Sequence, residues 1–478
     1  MNQNHFKGLI SVILLMLCSL QVVNGQQNQT QQGQRLASAW QGTLTVGSTS
    51  LRMVFHFTDQ PQGGYKATFD SPDQGAFGIP TDTVIVQDTI QVLMKAIAGG
   101  FKGTRVAGAD SIVGTWGQGG REFPLVLRLS RVEPEKPKRP QEPKAPYPYK
   151  EEEVTFTNTN AGVTLAGTLT TPLQGGPFAA AVLISGSGPQ DRDEPVFGHK
   201  PFLVLADYLT RAGIAVLRYD DRGVGKSTGN FGSGTTRDFA DDAKAAVAFL
   251  KTRKDVRAKN IGIIGHSEGG VIAPLIASES KDVSFIVMMA GTGVPGEEII
   301  QKQTELITGA MGASKEDIRK STELQKKLFA VVKAEKDSAT ADALLRPLVL
   351  ASLDSATSSN PQTVEAAVNG QTRRINTPWF RYFLTYDPRP ALKKVRCPVL
   401  AIGGEKDLQV WPKQNLPEIE SALRFGKNKF FTVKELPGLN HIFQTASTGV
   451  PTEYAKIEET ISPTALKVIG DWILEKSR

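Results

Sequence analysis

Gly265-His266-Ser267-Glu268-Gly269 carries the strongest chemical signal in the chain. The apolar run Ile261-Gly262-Ile263-Ile264 leads in and Gly270-Val271-Ile272-Ala273 leads out, which predicts a strand, a sharp turn presenting the serine, and a helix start. Glycines two residues either side suit a strained turn that larger neighbours would block. A serine hydroxyl attacks a carbonyl only when a base takes its proton, and a base with a pKa near working pH is a histidine. There are 5 histidines. His5 lies in the N-terminal leader, His56 alternates with the apolar face of a β-strand, His199 precedes a helix, and the His266 side chain should point away from that of Ser267. His441, in Leu436-Pro437-Gly438-Leu439-Asn440-His441, is the one that follows the candidate acid region, so elimination selects it. The orienting carboxylate is sought after the apolar run ending Ile402-Gly403-Gly404; Asp407 is the first choice and Glu405 the alternative. Taken singly, Asp407 and His441 read equally well as loop residues pairing with neighbours. Ser267, Asp407 and His441 in that order, each at a strand end, favour a catalytic triad.

A tetrahedral intermediate needs two N–H donors. The backbone of Glu268 is one candidate. The loop Ser185-Gly186-Ser187-Gly188, after the strand-like Val182-Leu183-Ile184, supplies the other through Ser187, with Gly188 as the alternative.

Strands and helices alternate around these residues. Val154-Thr155-Phe156 and Val163 to Leu169 read as an opening hairpin; Ala180 to Ser185, Ile214 to Arg218, the run into Ser267, Phe285 to Met289, Pro398 to Ile402 and Phe430 to Val433 read as buried strands. Helices are predicted from Pro201, over Arg237 to Lys254, after Ser267, and over Pro463 to Glu475. Asp238, Asp241 and Asp242 open the second of these and Lys251, Arg253 and Lys254 close it, as the helix dipole favours. This predicts a mostly parallel sheet with helices on both faces over 151–478. The alternation lapses between about 296 and 390, where Lys, Glu, Gln and Ala abound and Ser314 to Val332 has helical spacing, so a helical cap insertion is expected there.

The N-terminal part reads differently. Met1 to Gly25, with Lys7 and the apolar Leu9 to Leu20, reads as a signal peptide cleaved before Gln26, with an uncleaved anchor or a lipoprotein through Cys18 as the lesser alternatives. Without Cys18, only Cys397 remains and no intramolecular disulfide can form. A Gln-rich tail follows. From Trp40 to Ser130, Leu51, Met53, Phe55 and Phe57 alternate with Arg52, Val54, His56 and Thr58, and Phe123, Leu125, Leu127 and Leu129 repeat the period. With Gly-Gly turns and no helical spacing, 26–130 is expected to be a small all-β barrel or sandwich, read as a docking or spacing domain. Arg131 to Tyr149 holds 6 prolines among Lys, Glu and Arg, and reads as an extended, solvated linker reaching about 50–60 Å.

Composition excludes several classes. At 40% hydrophobic and 22% charged the chain is ordinary globular protein, and its net charge of +7 is spread without a basic, aromatic-lined stripe, which argues against a nucleic-acid partner. No cysteine framework for zinc is present. Gly225-Lys226-Ser227 is no phosphate loop, because Asp220 stands where the motif needs glycine and two carboxylates there repel phosphate. Asp191, Arg192, Asp193 and Glu194 read as an ion-pair network, with capture of a substrate amine the sharper alternative.

Three stretches carry a family resemblance: Ile184 to Asp193 (ISGSGPQDRD), Gly198-His199-Lys200-Pro201-Phe202, and Arg218 to Ser227 (RYDDRGVGKS). With them, residues 151–478 resemble an α/β-hydrolase, and in particular secreted bacterial carboxylesterases grouped with the serine aminopeptidase-like hydrolases. The resemblance implies Ser267 as nucleophile, Asp407 as acid, His441 as base and no cofactor. The expected activity is hydrolysis of a small acyl ester by an exported enzyme with no stable membrane span. A peptidase of the same fold is the second reading, and a binding protein with a vestigial hydrolase domain is the third.

Overall fold

Alternating apolar residues build a sheet in the N-terminal part of the computed structural model. The structure describes residues 36–477 except 47–48, 98, 108, 119–120, 133–136 and 354–360. The signal segment, Cys18, the Gln-rich tail and Pro134 of the linker lie outside the described residues. Strands β1 (Ala39–Val46), β2 (Thr49–Asp59), β3 (Tyr65–Ser71), β4 (Ala76–Pro80), β5 (Thr83–Val86), β6 (Ile90–Met94), β7 (Gly99–Arg105), β8 (Ser111–Gln118) and β9 (Arg121–Ser130) form one antiparallel sheet. Its order is β4-β3-β2-β1-β9-β8-β7-β6-β5, so every consecutive pair is bonded except β4 and β5, while β1 also pairs with β9. Met53, Phe55 and Phe57 point inward beside Trp40, Phe69, Phe101, Trp116, Leu125 and Leu127. The rings touch, Phe69 stacking on Trp116 at 5.4 Å and Phe55 tilting against Phe101 at 5.6 Å, so this interior is filled by side chains. Val54, on the other face, is also fully buried. His56 bonds Asp70 at 2.7 Å.

The expected sheet follows in β10 (Tyr149–Asn158), β11 (Val163–Pro172), β12 (Phe178–Ile184), β13 (Ala215–Tyr219), β14 (Val256–His266), β15 (Phe285–Met289), β16 (Val399–Gly404) and β17 (Phe431–Leu436), ordered β10-β11-β13-β12-β14-β15-β16-β17. The first hairpin is antiparallel and the rest, from β13 onward, is parallel. Helices are α1 (Pro201–Arg211), α2 (Thr236–Thr252), α3 (Gly269–Glu279), α4 (Gly296–Ala310), α5 (Lys315–Ala334), α6 (Ser338–Ser352), α7 (Pro361–Ile375), α8 (Pro378–Thr385), α9 (Arg389–Leu392), α10 (Pro412–Phe425), α11 (Pro451–Tyr454) and α12 (Pro463–Lys476).

The period of two along each strand sorts side chains into two cores. Ala180, Val182 and Ile184 of β12 meet Phe239, Val247 and Leu250 of α2, Ile272 of α3 and Leu423 of α10. Ala181 and Leu183 meet Leu205 and Leu209 of α1 and Ile469 and Ile473 of α12 on the opposite face. Each such aliphatic chain contributes about 1.5–3 kcal/mol when fully buried. Thr235 caps α2 in a reciprocal box with Asp238. Asp242 does not serve the helix dipole: it is buried and binds Arg222 at 2.6 and 2.8 Å and Asn158 at 2.8 Å.

The chain divides into two compact units, 1–137 with 339–374 and 138–338 with 375–478. The boundary falls inside the proline-rich linker, and the middle of the helical insertion groups with the first unit. The second half of the linker departs from the expected solvated segment. Arg139 donates to the carbonyls of Phe197, Gly198, Ala455 and Ile457 at 2.9–3.2 Å, and Gln141 bonds the backbone of Thr460 and Ile461. The planar guanidinium, with five donors, suits converging carbonyls that a lysine could not serve. Among the described residues no helix is long and apolar enough to cross a membrane.

Candidate active site

The elbow depends on close backbone approach. Ser267 has φ +51°, a left-handed conformation that costs a non-glycine residue about 1–3 kcal/mol. It sits between β14 and α3, and its N–H bonds Met289 O at 2.8 Å. A side chain at Gly265 would place its Cβ 1.9 Å from Gly269 O, and one at Gly269 would lie 2.1 Å from Ile184 O. These glycines let strand, turn and helix fit together under the serine.

The loop after β12 passes beside it, with the Cβ position of Gly186 3.3 Å from Ser267 Cβ. The Gly186 N–H is held by Glu194 Oε1 at 2.7 Å. Among the hydrogen bonds of the described residues, the N–H groups of Ser187, its alternative Gly188, and Glu268 have no acceptor.

Asp407 follows β16 and is fully enclosed. Its Oδ1 accepts the Gln409 and Val410 N–H groups, both at 2.8 Å, and its Oδ2 lies 2.8 Å from His441 Nδ1. Glu405 instead lies exposed and accepts the Gly438 N–H at 2.8 Å. The fold therefore brings Asp407, and not Glu405, to His441. The His441 ring lies 4.9 Å from that of His266, Ser267's neighbour.

Three side chains near the elbow were not singled out from sequence. Glu194 turns inward, away from the ion pairs that Arg192 makes with Asp220 and Asp193 with Arg218, and bonds His266 Nδ1 at 2.8 Å. The charge cluster was visible, but nothing local marks one member as buried. Trp379 of α8 donates to Glu268 Oε1 at 2.7 Å, an oxygen shared with Thr236 Oγ1 at 2.6 Å. Burial raises the Glu268 carboxyl above its ordinary range, although these two bonds oppose that. Tyr386 completes the set. A cavity beside Glu268 is lined by Thr236, Val271, Thr292, Phe383 and Tyr386, and the buried Tyr386 hydroxyl has no hydrogen-bond partner among the described residues.

Away from this centre, His199 is fully buried and burial pushes its pKa down to about 4. The Lys226 N–H binds Asp220 at 3.1 Å, so the Gly225-Lys226-Ser227 loop spends that donor on its own carboxylate. Burial pushes the Cys397 thiol up to about 12. Among the described residues no group of three or more His, Cys, Asp or Glu side chains is arranged to hold a metal ion.

Residues 200–444, just over half of the chain, match the sequence family described as serine aminopeptidase, S33. The chain belongs to that family of α/β-hydrolases. It is similar to Esterase EstD of Thermotoga maritima, 38% identical over 143 residues, which is 30% of this chain and 34% of the relative. The match thus spans about a third of that protein's length. Among solved structures it is similar to the esterase Pf2001 of Pyrococcus furiosus (17% identity, 72% of this chain and 99% of the other, TM-score 0.40). It is also similar to Est1E of Butyrivibrio proteoclasticus with bound ferulic acid (18%, 68% and 98%, TM-score 0.40).

Proposed function

We propose that this hydrolase cleaves carboxylic esters through a Ser267–His441–Asp407 triad. The observation that carries the reading is the 2.8 Å bond between the enclosed Asp407 carboxylate and His441 Nδ1, at the end of the sheet where Ser267 is presented on its elbow. With Nδ1–H held by Asp407, His441 Nε2 is the nitrogen left to accept a proton. Ser267 Oγ attacks the ester carbonyl as its proton moves to Nε2. The oxyanion takes the uncommitted Ser187 and Glu268 N–H groups. Collapse breaks the carbon–oxygen bond of the alcohol, which leaves with the proton from His441. Water then gives a proton to His441, attacks the acyl carbon, and releases the acid as the proton returns to Ser267.

Ester rather than peptide hydrolysis is supported by the name of the curated relative, and the family's description points to the peptidase alternative. Comparing short-chain p-nitrophenyl esters with aminoacyl p-nitroanilides separates them. The leader-like Met1 to Gly25 supports export. A fluorophosphonate probe is expected to label the wild type and not Ser267→Ala; equal labelling of both would remove Ser267 as nucleophile.

A further inference from the structure

The elbow does not account for His266. Its ring is buried, and both nitrogens meet acceptors. Nε2 lies 3.0 Å from the main-chain carbonyl oxygen of His441. A carbonyl only accepts, so Nε2 carries a proton. Nδ1 lies 2.8 Å from Glu194 Oε1, and that same oxygen accepts the Gly186 N–H at 2.7 Å. A protonated carboxyl would have to accept that N–H on the very oxygen donating to the ring, where it is a poor acceptor. Nδ1 therefore carries a proton as well. His199 is the contrast within the same chain: its Nδ1 meets the Thr460 hydroxyl, which donates or accepts, and its Nε2 meets both a carbonyl and the Gln444 amide, so a neutral ring is satisfied there.

We propose that His266 is held as an imidazolium that, clamped by Glu194, ties the loop carrying the oxyanion donor to the loop carrying His441. This rests on Ser267 and His441 forming the reacting site. Burial acts against the charge on His266, but the Glu194 carboxylate, through its charge and its hydrogen bond, outweighs it and the ring's pKa is raised. The other ionisable groups around the pair are Asp407, which also favours the cation, Asp221, which faces Glu194, and Tyr454, near Asp407. Met289 and Phe443, packed on the remaining sides, are uncharged. His266 and Glu194 touch none of the reacting atoms and act as positioning residues.

The test uses the full-length protein labelled with ¹⁵N-histidine. Long-range ¹H–¹⁵N spectra are expected to show both His266 nitrogens protonated at neutral pH, with His266→Gln identifying the signals. In steady-state kinetics normalised to fluorophosphonate-labelled sites, His266→Gln and Glu194→Gln are each expected to lower kcat by about ten-fold or more with KM little changed, because the loop carrying the oxyanion donor is no longer held. The double variant is expected to be no worse than the worse single one. A merely structural role would reduce the number of labelled sites and leave kcat per site unchanged. A single protonated nitrogen at neutral pH in the wild type, or an unchanged kcat per labelled site in His266→Gln, overturns the proposal. If kcat per site is unchanged while Ser267 still takes the fluorophosphonate probe, the triad stands and only this inference falls. If Ser267→Ala still turns over ester, the triad falls and the spectra still decide the charge on His266.

Discussion

Asp407→Asn tests the proposed chemistry at its most constrained point. Asp407 has no exposed surface, and its Oδ1 is pinned by two backbone N–H groups at 2.8 Å. In the variant those donors hold the amide oxygen, so the new NH₂ must face His441 Nδ1. Two donors then oppose each other, which leaves a buried polar group unsatisfied at about 1–3 kcal/mol. The ring escapes by moving its proton to Nε2, and every hydrogen bond is made again. That tautomer cannot accept the Ser267 proton. The expected loss is on the order of 10⁴ in kcat, about 5.5 kcal/mol of barrier, with little change in the melting temperature because shape and hydrogen bonding survive. Steady-state hydrolysis of a short-chain p-nitrophenyl ester measures it, and fluorophosphonate labelling should slow in parallel. Glu405→Gln is the control: it loses part of one exposed bond to Gly438 and should stay within a few-fold of wild type. A loss below ten-fold in Asp407→Asn, or a larger loss in Glu405→Gln, would refute the reasoning.

Four further outcomes are expected. The folded His199 pKa of about 4 lies below its ordinary 6.5, so the unfolded chain binds more protons between those values. Stability from this residue is therefore full above about pH 6.5 and is lost as pH falls toward 4, by at most about 3 kcal/mol; urea midpoints at several pH values should lose this share of their slope in His199→Asn. His266, with a raised pKa, contributes in the opposite sense, its stabilisation being present below its ordinary value and lost as pH rises through the folded one. Gly265→Ala puts a methyl 1.9 Å from Gly269 O, rigid backbone that cannot yield, and should cost about 3 kcal/mol or more with loss of probe labelling; a soluble, labelled variant of unchanged stability would show the elbow to be looser. Arg139→Ala strips four carbonyls of their donor and should cost about 1–3 kcal/mol and speed hydrogen exchange around Phe197 and Ala455, with Arg139→Lys failing to restore protection.

The amino-acid sequence by itself determined the strands of the second sheet, most of the framework helices and the elbow. Phe285 to Met289 was legible to the residue because a continuous apolar run bounded by turn residues leaves little else it can be. Pro201 and Pro463 marked helix starts, since proline acts on the backbone within one turn. Helix α10, with Pro417 inside it, and most of the cap gave no such local signal. The tertiary structure decided everything that depends on partners distant in the chain. On paper Asp407 is the first choice and Glu405 stays open as the alternative; the backbone after β16 turns one carboxylate inward onto Gln409, Val410 and His441 and leaves the other at the surface. Asp191 to Glu194 reads as four charges in a row, yet Glu194 alone reaches His266, 72 residues away, because β12 and β14 are neighbours in the sheet. Local periodicity reports which way a side chain faces. Which group it meets depends on strand order, and that is settled only when the sheet assembles.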